Sequence, residues 1–167
     1  DRIYAQEATS DNRRVLGDLG GSEYRLRQSF TLDETQTITR VTVNFGTTNG
    51  SPSGQVTCRL ETNSGDQATG TLINANATAA ITPTASADNE FNFTDFSQVA
   101  GTYWIVLNCD NQSNDVYWQV EYLTTGNYSG GHAARTVDAV WADLAPNDFR
   151  FALYVFSAGG AALFGLL

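Results

Sequence analysis

Residues 101–110 read GTYWIVLNCD, and this stretch indicates the fold more clearly than any other. From Tyr103 to Leu107 the side chains are apolar or aromatic at odd and even positions alike. A strand with two apolar faces is covered on both sides, which is typical of the centre of a sheet. The stretch therefore predicts a central strand, and such a strand needs further strands around it.

Other stretches alternate apolar and polar residues with the two-residue period of half-buried strands. Segments rich in Gly, Asn and Ser separate them, as turns between short strands do. The segment 71–81 (TLINANATAAI) fits either a strand or an irregular edge, and no stretch has the period of a long helix. We therefore predict an all-β fold, an antiparallel β-sandwich of the jelly-roll type. The alternating stretches are YRLRQSFTL (24–32), TQTITRVTVNFG (35–46), GQVTCRLET (54–62), EFNFTDF (90–96), VYWQVEYL (116–123) and FRFALYVF (149–156).

The chain divides into three parts. Residues 1–22 are polar, contain several Gly and are only weakly periodic, so we interpret them as an N-terminal arm. Residues 23–156 hold the alternating stretches and are predicted to form one sandwich domain, in which 124–148 is a long polar excursion. Residues 157–167 (SAGGAALFGLL) form a flexible hinge followed by an uncharged apolar tail.

The apolar tail is a candidate contact with a partner. An exposed apolar terminus is unfavourable in water, so the tail either packs against its own domain or docks into a neighbouring subunit. It is too short to cross a bilayer, and residues 149–156 keep the alternation of a strand, so we expect no membrane span. The residues assigned to this contact are Ala161, Ala162, Leu163, Phe164, Leu166 and Leu167.

Cys58 shares a strand face with Val56 and Leu60, and Cys109 shares one with Leu107, so both cysteines are expected to face the core. Two such residues form either a disulfide or a pair of small buried side chains. The chain contains no Met, even at its first position, which we interpret either as removal of a leader from an exported protein or as a mature fragment. Because disulfides persist outside the cell, we predict one between Cys58 and Cys109.

Net charge and motifs exclude several classes of function. The net charge of −9 and the pI of about 4.3 disfavour binding to nucleic acid. The single histidine, His132, lies in a Gly-rich segment and is interpreted as a solvated loop residue. No nucleophile elbow, phosphate loop or metalloprotease motif is present. We therefore expect no enzyme and no cofactor.

Two weaker ligand sites can be named from side-chain chemistry. Oxygen ligands in the loop after residue 109 form a weak candidate site for Ca²⁺, although Asp and Asn are also ordinary turn residues. Tyr128 and Trp141 lie in the long excursion and are candidates for stacking on a glycan, whereas Trp104 and Trp118 are expected inside the core. Five N-glycosylation sequons begin at Asn49, Asn76, Asn92, Asn111 and Asn127. The calcium candidates are Asp110, Asn111, Asn114 and Asp115.

The stretches QSFTLDETQTITRVTVNF (28–45) and GTYWIVLNCDNQSNDVYWQV (101–120) resemble jelly-roll domains of bacterial and archaeal surface proteins, often called choice-of-anchor domains. Similar domains occur in structural proteins of tailed phages. The resemblance also includes a Ser-Pro-x-Gly turn at 51–54 and covers residues 28–156. It implies the fold, but no catalytic residues, because the group shares none. The arm, the cysteine pair and the tail depart from the pattern, which favours an assembling subunit over a cell anchor.

Together these features predict a non-catalytic structural subunit of an extracellular assembly: a virion decoration, tail or fibre protein, or a surface filament. Its partners would be copies of itself or other subunits of the same particle, contacted through the arm and the tail. The alternative is a carbohydrate-binding or adhesion module that recognises cell-surface glycan through Tyr128 and Trp141.

Overall fold

The structure, a computed structural model, describes residues 2–6, 12–110, 115–124 and 128–157, with the side chains of 2–6 and 157 excepted. The described residues form fourteen strands and no helix, and hence none that is long and apolar enough to span a bilayer. The strands are β1 (Arg2–Gln6), β2 (Asn12–Leu19), β3 (Ser22–Leu32), β4 (Gln36–Asn49), β5 (Val56–Ser64), β6 (Gln67–Leu72), β7 (Thr78–Ile81), β8 (Ala87–Gln98), β9 (Gly101–Cys109), β10 (Tyr117–Leu123), β11 (Ala133–Val137), β12 (Val140–Asp143), β13 (Asp148–Phe149) and β14 (Phe151–Ser157).

Every strand pairing recorded for these residues is antiparallel, and the pairings form one curled sheet. A front half-sheet runs β12–β11–β3–β9–β5, with β6 and β7 beside β5. In the back half-sheet, β4 lies between β8 on one side and β14 and β10 on the other. The outer neighbours of β14 and β10 are β1 and β2, and β13 also pairs with β10. The β2–β3 hairpin joins the two halves.

The two half-sheets face each other across one core, as in a β-sandwich. Leu26 and Phe30 from the front half and Phe45, Phe91 and Leu153 from the back half belong to one cluster of buried side chains. Sheets pack in this way because each buries its apolar face against the other. The predicted all-β sandwich is therefore confirmed, while its jelly-roll connectivity stays a prediction.

The alternating stretches form the strands that their periods predicted. In β9, Tyr103 to Leu107 are all buried, as expected for a central strand, and β9 lies between β3 and β5. In β4, Val41, Val43 and Phe45 are buried on one face. The pairing of β4 with β8 shifts between Ile38 and Arg40, and this irregularity brings Ile38 into the core as well.

The predicted N-terminal arm is wrong. Residues 2–6 pair with β14 as strand β1, and residues 12–19 form β2, which pairs with β10 and β3. The turn between β2 and β3 consists of Gly20 and Gly21 at φ of 63° and 83°, and glycine adopts such angles without a steric penalty. The sandwich therefore begins well before residue 23.

The excursion at 124–148 is also more regular than predicted. Residues 133–137 and 140–143 form the hairpin β11–β12, and β11 pairs with β3. The segment 71–81, left open between strand and irregular edge, contains the end of β6, an irregular piece and strand β7. The β11–β12 hairpin and β7 widen the front half-sheet, and the hairpin places Ala134 and Trp141 on its outer face.

Candidate functional site

The outer face of the front half-sheet carries a second apolar cluster, separate from the core. Trp104 and Val106 of β9 point away from the core, and Ala134 and Trp141 of the β11–β12 hairpin pack against them. The apolar residues on both faces of β9 predicted that this outer face would also be covered by another part of the chain. The hairpin that supplies it lies in the segment that the sequence suggested was a polar excursion.

Trp104 is the centre of an outer aromatic cluster formed with Trp141 and His132. Its ring meets that of Trp141 edge-to-face at 5.0 Å and that of His132 at 5.3 Å, with interplanar angles of 88° and 90°. Its indole Nε1 donates a hydrogen bond of 2.9 Å to Asn63 Oδ1. Trp104 is fully buried, so this ring anchors the cluster and is not available to a ligand.

His132 is held by its main chain against Ser29 of β3. The Ser29 hydroxyl accepts a hydrogen bond from the His132 amide at 2.8 Å and lies 3.1 Å from its carbonyl oxygen, to which it donates. The Ser29 amide donates to the same carbonyl at 2.9 Å. The hydroxyl is also 3.5 Å from His132 Nδ1, but Ser29 is only 1% exposed. Ser29 therefore fixes the position of the histidine from inside the sheet.

Two carboxylates approach the other ring nitrogen of His132. Nε2 lies 3.4 Å from Asp143 Oδ1 and 3.7 Å from Asp66 Oδ2. The histidine side chain is 19% exposed, whereas those of Asp143 and Asp66 are 56% and 68% exposed. The acidic groups thus stand in solvent and do not form a buried polar cleft. His132 lies in the loop before β11, as predicted, but the prediction that it is solvated is wrong, because its ring packs against Trp104.

Arg27 completes this outer face. Its guanidinium lies over the Trp141 ring, 5.4 Å from the centroid. Burial lowers the pKa of Arg27, and the neighbouring Glu61 carboxylate acts in the opposite direction. Sequence reasoning did not single out Ser29 or Arg27. Their positions on the polar parity of β3 looked like those of a solvated face, and only the apolar Trp104 and Val106 opposite them indicated a cover.

The two predicted glycan-stacking residues are both half-buried and lie in different surroundings. Trp141 packs against Trp104 and under Arg27 on the outer face. Tyr128 packs edge-to-face on Phe151 at 5.2 Å and belongs to the edge of the core. The structure therefore does not bring them together into one platform, and Trp141 is the better placed of the two. Trp118 is buried in the core, as predicted, whereas Trp104 is buried on the outer face under the β11–β12 hairpin.

The predicted disulfide is not present, although both cysteines are buried. Cys58 lies opposite Leu107 and Cys109 lies opposite Val56 on the adjacent strands β5 and β9, so the two cysteines are diagonal neighbours. Diagonal residues are about 7–8 Å apart, beyond the ~6.8 Å between Cα atoms that a disulfide spans. Burial also raises the pKa of the Cys58 thiol and keeps it protonated.

The calcium candidates are only partly described. Asn111 and Asn114 lie outside the described residues. The Asp115 carboxylate accepts a hydrogen bond from the Gly20 amide at 2.9 Å, so it serves the β2–β3 turn. Asp110 is exposed, and its amide donates to the Gln55 carbonyl. Among the described residues, no group of three His, Cys, Asp or Glu side chains is arranged to hold a metal ion.

The assigned tail residues, Ala161 to Leu167, also lie outside the described part of the chain. Strand β14, which leads into the tail, is described, and its last residues lie at one end of the sandwich. Gln36 pairs with both Gln98 of β8 and Ser157 of β14, so these two strands end at the same level on either side of β4. Next to those residues are Val99, which is 61% exposed, and Phe156, which is 41% exposed. We call Val99 and Phe156 the apolar end.

The chain matches no protein-family model, and no curated protein is significantly similar to it.

Proposed function

We propose that the protein is a non-catalytic structural subunit of an extracellular assembly, such as a virion decoration, tail or fibre protein or a surface filament. In this proposal the subunits join through the apolar end and the tail that follows it. The observation that carries the proposal is the placement of Val99 and Phe156 beside the last residues of β14.

The apolar end and the tail would form one continuous contact surface. The tail contributes seven uncharged residues (161–167), which follow the exposed Phe156 after the four-residue hinge 157–160. Several hundred Å² of apolar surface buried at about 25 cal/mol/Å² is worth several kcal/mol before the cost of ordering the tail. The predicted arm no longer has this role, because residues 2–6 and 12–19 are strands of the sandwich.

The arrangement around His132 supports a structural role over a catalytic one. A nucleophilic serine must reach its substrate, but the Ser29 hydroxyl is buried and bonded to the His132 main chain. The carboxylates beside His132 are exposed and do not lie in the apolar pocket that an acid catalyst of this kind needs.

The exposed sequons fit an exported protein. Asn49, Asn76 and Asn92 are all exposed, and Asn111 and Asn127 lie outside the described residues. A sequon can be glycosylated only where its asparagine is accessible, and these three asparagines are.

The test is a chain that ends at Ser157, compared with the full chain by light scattering and circular dichroism. We expect the full chain to form oligomers and the shortened chain to be a monomer with an unchanged β spectrum. A shortened chain that still assembles would overturn the proposed role of the tail. A full chain that remains a monomer at high concentration would overturn the assembly function itself.

A second candidate function, recognition of a cell-surface glycan, is favoured by one observation. The half-exposed Trp141 and His132 both pack against Trp104, and the exposed carboxylates of Asp143 and Asp66 lie beside His132. An aromatic ring and carboxylates on one face can hold the faces and hydroxyls of a sugar. A glycan array comparing the wild type with Trp141→Ala separates the two candidates. Binding that is lost in the variant supports the glycan site, and an array without signal removes it.

A further inference from the structure

Two arginines occupy positions where the strand pattern calls for apolar residues. Arg14 of β2 has the same parity as the buried Leu16. Arg135 of β11 lies opposite the buried Leu26 of β3, and the register places both on the inner face. One arginine thus comes from each half-sheet, at the side of the sandwich where β2 and β11 face each other.

These two arginines line a cleft of about 190 Å³, with Tyr24, Leu26, Val15 and Leu19 as its other walls. Its volume is far above the roughly 10–15 Å³ that one water molecule needs. Arg13 also borders the cleft, but its guanidinium is directed to Glu121 at 3.8 Å and Thr47 at 3.3 Å.

Arg14 and Arg135 lack the partners that most other arginines have. Of the eight arginines whose side chains are described, five form ion pairs with carboxylates, and Arg14 and Arg135 are among the three that do not. The Nε atoms of both are buried and have no hydrogen-bond partner among the described residues. Two positive groups in one cleft are unfavourable when no described residue supplies a counter-charge, and they are unexpected in a chain of net charge −9.

Both guanidinium groups are held in place by aromatic rings. Arg14 lies over the Tyr122 ring, 4.7 Å from the centroid, and Arg135 lies 5.8 Å from that of Tyr24. Such a contact uses the flat face of the guanidinium and leaves its in-plane N–H groups for an acceptor. A carboxylate or sulfate matches these N–H groups and supplies the missing negative charge.

We propose that this cleft binds a small oxyanion, a carboxylate or a sulfate carried on a molecule with an apolar face, through Arg14 and Arg135. The aliphatic walls formed by Val15, Leu19 and Leu26 would contact that apolar face. An acidic or sulfated saccharide unit has this combination of chemistry. The site is separate from the apolar end and does not depend on assembly.

The test titrates the full-length chain with sodium glucuronate, sodium sulfate and, as the uncharged control, glucose, followed by NMR of the arginine Nε–H groups. We expect glucuronate, sulfate or both to shift the Nε–H signals of Arg14 and Arg135, and glucose to leave them unchanged. A response to only one anion identifies the carboxylate or the sulfate as the group that is bound. If neither anion moves these signals, the site does not exist.

Variants identify the residues that carry the binding. Arg14→Gln and Arg135→Gln should each weaken anion binding by about tenfold or more, since each removes charge-assisted hydrogen bonds. Arg40→Gln is the matched control, because Arg40 also lies over a tyrosine ring but pairs with Glu90 on the back half-sheet. Unchanged affinity in both cleft variants would overturn the assignment. If one of them fails to fold, the other variant and the wild-type titration decide.

Discussion

The hydroxyl of Ser29 bonds to both main-chain polar groups of His132, and so joins the chain before β11 to β3. Gly131 allows this close approach, because a Cβ atom at that position would collide with the Ser29 carbonyl oxygen. These contacts hold the histidine ring against Trp104 in the outer aromatic cluster. Ser29, Gly131 and His132 thus have a packing role, which a search for catalytic motifs cannot identify.

Replacing Ser29 with Ala should destabilise the protein by about 1–3 kcal/mol, because the His132 amide loses its buried acceptor. Urea unfolding followed by tryptophan fluorescence measures the change. Ser97→Ala on the exposed face of β8 is the control and should change the free energy of unfolding by less than about 0.5 kcal/mol. Equal effects of the two substitutions would show that the Ser29 contact contributes nothing.

Individual residues show what strand parity can and cannot predict. Parity placed Cys58 and Cys109 on the core side correctly, since it depends only on the alternation along each strand. Parity does not say which residues of neighbouring strands lie opposite each other. In the register of β5 and β9 the two cysteines are offset by two residues, which excludes the predicted disulfide. The contacts of His132 depend on strand pairing in the same way, and the sequence alone did not reveal them.

Among the elements, β2 was the strand most completely missed from the sequence. Its paired arginines and Gly17 break the apolar alternation, and Arg14 stands where an apolar residue would be expected. The strand is nevertheless fixed by six paired residues along β10 and three along β3. By contrast, β3, β4, β9 and β10 were predicted correctly, because their inward positions are filled by large apolar side chains.

Hydrogen exchange monitored by mass spectrometry tests the place of β2 in the sheet. Peptides covering residues 12–19 should exchange slowly, at rates comparable with those of β10, because strand amides exchange only when the pairing opens. The exposed turn at residues 51–54 provides a fast-exchanging reference. Exchange of residues 12–19 as fast as that reference would favour the predicted N-terminal arm over strand β2.

Strand β13 is fastened to β3 by a buried polar network. The Gln28 side-chain amide donates to Asp148 Oδ1 at 2.9 Å and its oxygen accepts from the Phe149 amide at 2.8 Å. The Tyr128 amide donates to Asp148 Oδ2 at 3.1 Å. Burial raises the pKa of Asp148, and this effect outweighs the hydrogen bonds and the charge of His132.

The raised pKa of Asp148 predicts a specific pH dependence of stability. A carboxyl with a higher pKa in the folded state binds its proton more tightly there, so its contribution to stability falls as pH rises. The fall begins near the ordinary carboxyl pKa of about 4 and ends above the raised value. The difference in unfolding free energy between the wild type and Asp148→Asn, which cannot titrate, should therefore decrease with rising pH across this interval. A difference that grows with pH would contradict the assignment.

On the scale of the whole molecule, the two half-sheets carry different features. The front half has an outer face covered by its own hairpin, and the cleft of Arg14 and Arg135 lies where the two halves separate. Exposed apolar side chains stand at the end formed by β8 and β14. The sequence predicted the sandwich, because its strands depend on runs of neighbouring residues, while the role of the tail stays a prediction. The sequence could not predict the cleft, which exists only after the halves curl together.

The apolar end allows the assembly function to be tested without removing any residues. Val99→Ser combined with Phe156→Ser makes this end polar, and Val140→Ser is the matched control. Val140 is 69% exposed but lies at the opposite end of the sheet. Its strand partner Val137 pairs with Tyr24 near the start of β3, whereas the apolar end is near Gly101, which pairs with Leu32 at the end of β3.

The molar mass of the intact protein, measured by light scattering over a range of concentrations, is the decisive measurement. We expect oligomers for the wild type and for Val140→Ser, and a folded monomer for the double variant. The same oligomers in all three proteins, or monomers in all three, would contradict the proposed assembly.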